Sequence, residues 1–378
     1  MVKLRLKLRE RIMKHYKRKV LFLMSIIVIV ILAIYFSENN LKISYKYFNP
    51  FIENEQVSVE KQYVIPGGQT IGVELKTKGI LVVGLADVVN DNKITTSPAK
   101  EAGMHIGDKI MSVDNKPFST TQDFVSYINK EGIREYNIEV ERNGNRIQLL
   151  ITPIKRYSTN DIIFGFWARD NIAGIGTITY IDPETYEFSA VAHGITDSDT
   201  GELIDIDSGS ISKANITNIK SGKKGEPGEI IGFILKDNNK LGTVRQNTPF
   251  GITGVINEKS LSYFSNNLVE IGRRDTIQVG PAKILSCLDD EIKEYNIEIV
   301  KTYYQSRPTD KSFVIKIVDE ELLSLTNGII QGMSGCPIIQ NDKLVGAVTH
   351  VFMNDPTKGY GIYIEWLLDE SHQKKSNL

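Results

Sequence analysis

Ser334 sits in the run Gly332-Met333-Ser334-Gly335-Cys336-Pro337-Ile338-Ile339, followed by an Asn341-Asp342 turn and the apolar run Leu344 to Val351. Glycines around a serine let the backbone turn tightly and lift the hydroxyl clear of it. Such a loop also aims backbone amides at one point, so the N–H groups of Gly332 and Ser334 can form an oxyanion hole. A base must take the hydroxyl proton. The candidate is His193, at the end of the apolar run Ala190-Val191-Ala192-His193-Gly194-Ile195, 141 residues before the serine. The chemistry open to this pair is nucleophilic attack on a carbonyl carbon. Each signal alone also has an ordinary structural reading: a glycine-flanked serine as a simple turn, a strand histidine as a hydrogen-bonded core residue. Cys336 is set aside as a rival nucleophile, because a small apolar packing role explains it. His350 reads as a strand residue under the cleft rather than as the base.

These residues need a scaffold that brings distant segments together. From about Tyr157 the chain reads as mainly β, with short runs such as Gly174 to Tyr180 and Gly228 to Leu235 separated by Gly, Asp and Asn turns. That texture predicts a barrel or paired barrels, and the spacing of His193 and Ser334 suits two small barrels meeting at a cleft. The Gly-x-Ser-Gly-x-Pro loop leading into a hairpin is similar to that of chymotrypsin-like peptidases, which implies a double β-barrel.

Upstream, residues from about Gln62 to Ile154 alternate strands with two short helices. Ser97 to Gly103 reads as a helix with proline in its first turn and a glycine stop. Ser119-Thr120-Thr121-Gln122 reads as a capping box before the helical stripe Phe124, Val125 and Ile128. Ser97-Pro98-Ala99, Ala102-Gly103, Gly107-Asp108-Lys109-Ile110 and Val113-Asp114 resemble a PDZ domain of the bacterial protease-associated type. The resemblance implies an α+β peptide-binding module. Gly72-Val73-Glu74-Leu75 would be its receiving strand, and Gly68-Gln69-Thr70-Ile71 the loop meeting a terminal carboxylate. The physical basis is strand addition to an open sheet edge; a mere spacer remains the alternative. His105 reads as a surface or packing residue.

Across both domains the chain resembles the stage IV sporulation protein B family, a PDZ-containing group of sporulation serine peptidases. The carrying stretches are Ala173-Gly174-Ile175-Gly176-Thr177, Ala192-His193-Gly194-Ile195, Gln331 to Gly335, Val345 to Val351 and Pro356 to Gly361. The resemblance implies a serine endopeptidase with Ser334 as nucleophile, His193 as base and Asp319 as the acid. It further implies cleavage of a membrane-associated regulatory protein in the space between mother cell and forespore, triggering intramembrane proteolysis and late sigma-factor activation. The sequence departs from the family at Val318-Asp319-Glu320 and at Cys336. Asp319 also closes the apolar run Phe313 to Val318, whereas Asp197, Asp199, Asp205 and Asp207 follow His193 in a polar, turn-like stretch. Those four acids, or a centre with no essential acid, remain open. So do a catalytically silent adaptor and a general envelope quality-control protease.

The N-terminus sets the expected location. Residues 1–19 hold nine Lys or Arg against one acid, so with a net charge of −1 for the 378-residue chain the basic patch is confined to one end. That argues against a nucleic-acid-binding body. Val20 to Phe36 is apolar apart from Ser25 and is long enough to cross a bilayer. The cations predict a cytoplasmic N-terminus and an extracytoplasmic remainder, and the exit lacks a small-residue cleavage pattern. The expected order is a basic tail (1–19), an anchor (20–36), a linker (37–61), a PDZ domain (62–155) and a peptidase domain (157–378). Two cysteines, Cys287 and Cys336, fit neither a disulfide framework nor a metal site, and no cofactor is expected.

Overall fold

The computed structural model describes residues 61–89, 95–157, 159, 161–236, 238–289 and 291–372. The anchor expected at residues 20–36 lies outside them, as do the basic tail and nearly all of the linker. Among the described residues no helix is long and apolar enough to cross a membrane.

Strand alternation builds the second half of the chain. In Ile292–Thr302, Tyr295, Ile297 and Ile299 are buried, while Glu294, Asn296 and Glu298 face outward. This two-residue period puts one face of a strand on a core. Six such strands close on themselves, every pair antiparallel. Gly280–Cys287 pairs with Ile292–Thr302, that strand with Phe313–Ile317, and that one with Asp355–Tyr363. Lys343–Phe352 and Pro337–Gln340 then return the ring to Gly280–Cys287. Phe313, Ile315, Ile338, Val348 and Ile362 fill its interior.

A second ring precedes it. Thr70–Leu85 pairs with Phe166–Ile181, which leads through Glu187–Ala190, Gly251–Ile256, Lys240–Thr248 and Ile206–Lys220 back to Thr70–Leu85. Ile71, Val73, Phe188, Ile211 and Ile252 form its core. The expected paired barrels are therefore present as closed rings, which leave few free sheet edges.

Two features of this ring correct the sequence reading. First, the expected boundary between a PDZ domain at 62–155 and a peptidase domain at 157–378 does not separate the two bodies. The strands Thr70–Leu85 and Phe166–Ile181 each run through both bodies. Gly72 to Lys76 pair in the barrel, whereas Ile80 to Leu85 pair in the PDZ sheet, with Lys109–Val113 on one side and Phe166 to Arg169 on the other. The PDZ domain is thus inserted within the first barrel, and Tyr63–Pro66 also joins both barrels' sheets. Gly79, at φ 79°, turns the strand where the two bodies meet.

Second, Gly72 to Leu75 cannot receive a peptide. Gly72, Val73, Glu74 and Leu75 pair with Ile175, Gly174, Ala173 and Ile172 on one edge, and with Ser212, Ile211, Ser210 and Gly209 on the other. A strand hydrogen-bonded on both sides has no donors left for addition. Nor do residues 68–71 form a carboxylate loop. Gly68 N–H donates to Ile178 O at 2.8 Å, Thr70 Oγ1 donates to Cys287 O at 2.6 Å, and Gln69, Thr70 and Ile71 are buried.

Within the inserted domain Ile80, Val82, Met104, Ile110, Phe124, Tyr136 and Phe164 make a separate core. The helix Thr121–Glu131 starts one residue later than the expected capping box. Thr120 is its cap and accepts from Asp123 N–H at 3.1 Å. Asp108 of the Gly-Asp-Lys-Ile run is fully buried and bonds the Arg142 guanidinium at 2.6 and 2.7 Å. Its role there is structural, tying the turn to the strand Tyr136–Arg142.

Candidate active site

Phe166–Ile181 positions the reacting groups. Its buried Thr177 and Thr179 hydroxyls donate to Gly332 O at 2.8 Å and Gly335 O at 2.9 Å. Thr177 N–H donates to Ser334 O at 3.2 Å, and Thr177 O accepts from Val191 N–H at 3.0 Å. One residue of the first barrel therefore holds both the serine loop of the second barrel and the turn that delivers His193. The loop is closed on its own side by Gly335 N–H to Val348 O, 2.8 Å, and Cys336 N–H to Met333 O, 3.0 Å. Among the described residues neither Gly332 N–H nor Ser334 N–H has a protein acceptor, so both remain available to an oxyanion.

The histidine is delivered by strained backbone. The strand Glu187–Ala190 stops, and Val191 and Ala192 follow at φ 72° and 57°. Left-handed conformation costs about 1–2 kcal/mol for an ordinary residue, and a β-branched residue there is a marked outlier. The turn survives because Thr177 binds Val191 and Gly194 N–H donates to Pro249 O at 2.9 Å. Asn247 then clamps the exit, accepting from Ile195 N–H at 2.9 Å and donating to Ile195 O at 2.7 Å. His193 Nδ1 lies 3.0 Å from Gly194 O. A carbonyl only accepts, so neutral His193 carries its proton on Nδ1 and leaves Nε2 as the acceptor.

Ser334 and His193 share the wall of a cleft of about 970 Å³. Apolar side chains dominate the rest of it, among them Val73, Leu75, Ile329, Ile330, Val351 and Met353. His350 also lines it, with its ring centroid 5.2 Å from that of His193. Burial first, and then the neighbouring His193, hold the His350 pKa below the usual histidine value, while Asp310 works against that shift. Asp310 Oδ2 lies 3.6 Å from His350 Nδ1, and among the described residues Asp310 is the single carboxylate on the cleft wall.

The structure does not bring Asp319 to this cleft. Asp319 is the N-cap of the helix Glu320–Thr326. Its Oδ1 accepts from Leu322 N–H at 3.1 Å, and its Oδ2 accepts from Asn296 N–H at 3.1 Å and from the Asn296 side chain at 3.3 Å. The first amides of a helix lack intrahelical partners, and a carboxylate at the cap satisfies them. Asp319→Ala is therefore expected to lower stability by about 1–2 kcal/mol and to leave kcat within a few-fold. Urea unfolding alongside peptide cleavage checks both, and a folded variant with no activity would contradict the capping assignment.

Three of the four acids after His193 are also used elsewhere. Asp197 is buried, accepts from Asp199 and Thr200 N–H, and pairs with Arg169. Asp199 bonds Arg169 as well, Asp205 pairs with Lys109, and Asp207 is exposed. Cys336 and Cys287 are buried and form no disulfide with each other. Burial pushes the Cys336 thiol up to about 11, which suits packing and not nucleophilic attack. His105 is exposed.

Sequence reasoning missed Thr177 and Asp310. Thr177 lay inside a recognised strand, and an inward-facing threonine there was the available signal. Asp310, in Arg307-Pro308-Thr309-Asp310, carries no spacing that relates it to His350.

A free strand edge was missed as well. From Phe166 to Ile175 the long strand pairs with Thr70–Leu85 on one side and, among the described residues, with no strand on the other. At one end this edge passes the helix Thr121–Glu131, where Asp170 Oδ2 accepts from Thr121 N–H at 2.7 Å. At the other, Ile172 to Ile175 line the catalytic cleft.

Comparison with known proteins agrees with the two bodies. A family model described as SpoIVB peptidase S55 matches residues 160–368, and a PDZ-domain model matches residues 70–152. Among curated proteins, a "Probable protease eep" of Enterococcus faecalis is 32% identical over 90 residues, 23% of this chain and 21% of that protein. A "Regulator of sigma E protease" of Haemophilus influenzae is 29% identical over 127 residues, 33% of this chain and 28% of that protein. The chain thus spans less than a third of the length of these relatives. Among solved structures, "HtrA-type protease AlgW with decapeptide" aligns over 59% of this chain and 57% of that chain, at 11% identity and a TM-score of 0.32.

Proposed function

Since the chain belongs to the SpoIVB peptidase S55 family, we propose that it is a serine endopeptidase in which Ser334 is the nucleophile and His193 the general base. The observation that carries the assignment is the double grip of Thr177 on the Ser334 loop and on the turn before His193. Ser334 Oγ attacks a peptide carbonyl carbon while its proton passes to His193 Nε2. The carbonyl oxygen becomes an oxyanion facing the Gly332 and Ser334 amides. Collapse of the intermediate breaks the C–N bond, and the His193 proton leaves on the amine. Water then repeats the sequence on the acyl-enzyme. The apolar cleft walls favour apolar side chains beside the scissile bond.

The PDZ domain captures an extended segment of the substrate by strand addition at the free edge from Phe166 to Asp170. That edge continues into the cleft, so a bound chain would be led toward Ser334. The anchor at residues 20–36 and the extracytoplasmic location rest on charge and apolar length. A membrane-associated regulatory substrate, whose cleavage triggers intramembrane proteolysis and sigma-factor activation during sporulation, rests on family membership. A fluorophosphonate probe applied to the full-length protein is expected to label Ser334, as read by peptide mass spectrometry. Absence of labelling in folded protein would favour the catalytically silent PDZ adaptor.

A further inference from the structure

We propose that Asp310, acting through His350, holds the charge-stabilising third position of the catalytic centre; this rests on the reading of Ser334 and His193 given above. Both are positioning residues. When His193 takes the serine proton it becomes an imidazolium, and a cleft closed over by substrate makes an uncompensated charge costly. The position that an aspartate fills in a Ser-His-Asp centre is not filled by Asp319, which caps a helix, nor by Asp197, Asp199 or Asp205, which hold Arg169, Lys109 or backbone amides, nor by Asp207, which is exposed and does not line the cleft. Asp310 is the carboxylate that remains on the wall.

Three observations connect it to His193. The His350 ring stands 5.2 Å from the His193 ring, centroid to centroid, tilted by 37°. His350 Nδ1 is buried without a hydrogen-bond partner and faces Asp310 Oδ2 at 3.6 Å, a few tenths of an ångström beyond a good N–H···O bond. Thr349, the residue before His350, donates its hydroxyl to Asp310 O at 2.9 Å, so the segment carrying the carboxylate is fixed to the strand carrying the imidazole. Unpaired catalytic groups of this kind commonly tighten when substrate binds.

Two imidazoles this close do not both hold an added proton readily. The charged or titratable groups facing His350 are His193, Asp310 and Lys311. Burial, His193 and Lys311 disfavour its charged form, and Asp310 favours it. His350 therefore stays neutral while His193 carries the proton. With its own proton on Nδ1, it donates toward Asp310 and passes the field of the carboxylate to the neighbouring ring.

The test is a pH profile of kcat/KM for full-length protein and its Asp310→Asn, His350→Phe, His350→Gln and Asp319→Asn variants. Asp310→Asn is expected to lower kcat about 10²-fold or more with KM within a few-fold. Its acid limb should move to lower pH, because removing a negative charge near the centre disfavours a protonated imidazole. His350→Phe should lose as much kcat, and His350→Gln, which keeps a hydrogen-bonding group, should recover part of it. Asp319→Asn should leave the acid limb in place. Fluorophosphonate labelling of Ser334 in the parent protein tests the nucleophile separately from Asp310. If Ser334 is labelled and essential, yet Asp310→Asn keeps kcat and its acid limb unchanged, this assignment is overturned while the Ser334–His193 centre stands.

Discussion

Ser334→Ala is expected to fold normally and to lose peptidase activity by about 10⁴-fold or more, the scale at which a serine centre stops working when one reacting group is removed. The change deletes one oxygen from a loop whose fixed bonds are all backbone or threonine bonds. Thr177 still holds Gly332 O and Ser334 O, and Gly335 N–H still reaches Val348 O. Thermal unfolding should therefore move little while cleavage of a reporter peptide vanishes. The loss should fall on kcat, because the cleft walls that hold substrate are unchanged. A folded Ser334→Ala protein that still cleaves would remove the proposed mechanism as a whole.

Gly335→Ala should be nearly as damaging by a different route. Gly335 has φ 96°, outside the range that other residues adopt readily. A β-carbon there would overlap Thr177 O and come within 2.6 Å of Val191 N. Both neighbours are backbone, one in the strand that grips the serine loop and the other in the turn that delivers His193, so neither can yield without moving the site. Strained backbone of this kind costs about 1–3 kcal/mol, and overpacking adds a similar amount. We expect the unfolding midpoint to fall by several degrees and activity to drop by at least 10²-fold at temperatures where the variant is still folded. Full activity with an unchanged midpoint would mean that the loop is not packed against Thr177 and Val191.

The insertion of the PDZ domain within the first barrel gives these effects a wider setting. Thr70–Leu85 and Phe166–Ile181 are each shared between the bodies, and the second of them carries Thr177. A peptide paired to Phe166 to Asp170 would lie on the same strand that grips both reacting segments. Substrate capture there would join peptide binding and site geometry through one element.

The sequence by itself determined the local chemistry. The glycines around Ser334, the apolar run ending at His193 and the two-residue alternation of Ile292–Thr302 are constraints between near neighbours, so pattern and residue type are enough to read them. The PDZ body was equally legible from its turn and helix signals. Only the tertiary structure decided which strand edges are free. Alternation shows which face of Gly72 to Leu75 is buried, but not that strands about 100 and 140 residues away already occupy both edges. It also separated two acids that the sequence treats alike. Asp319 and Asp310 are both carboxylates shortly before the nucleophile, and chain position does not distinguish them. One meets the unpaired amides at the start of a helix, and the other faces a buried imidazole nitrogen on the cleft wall. What a carboxylate does depends on the donors within about 3–4 Å of it, and those donors come from segments that only folding brings together.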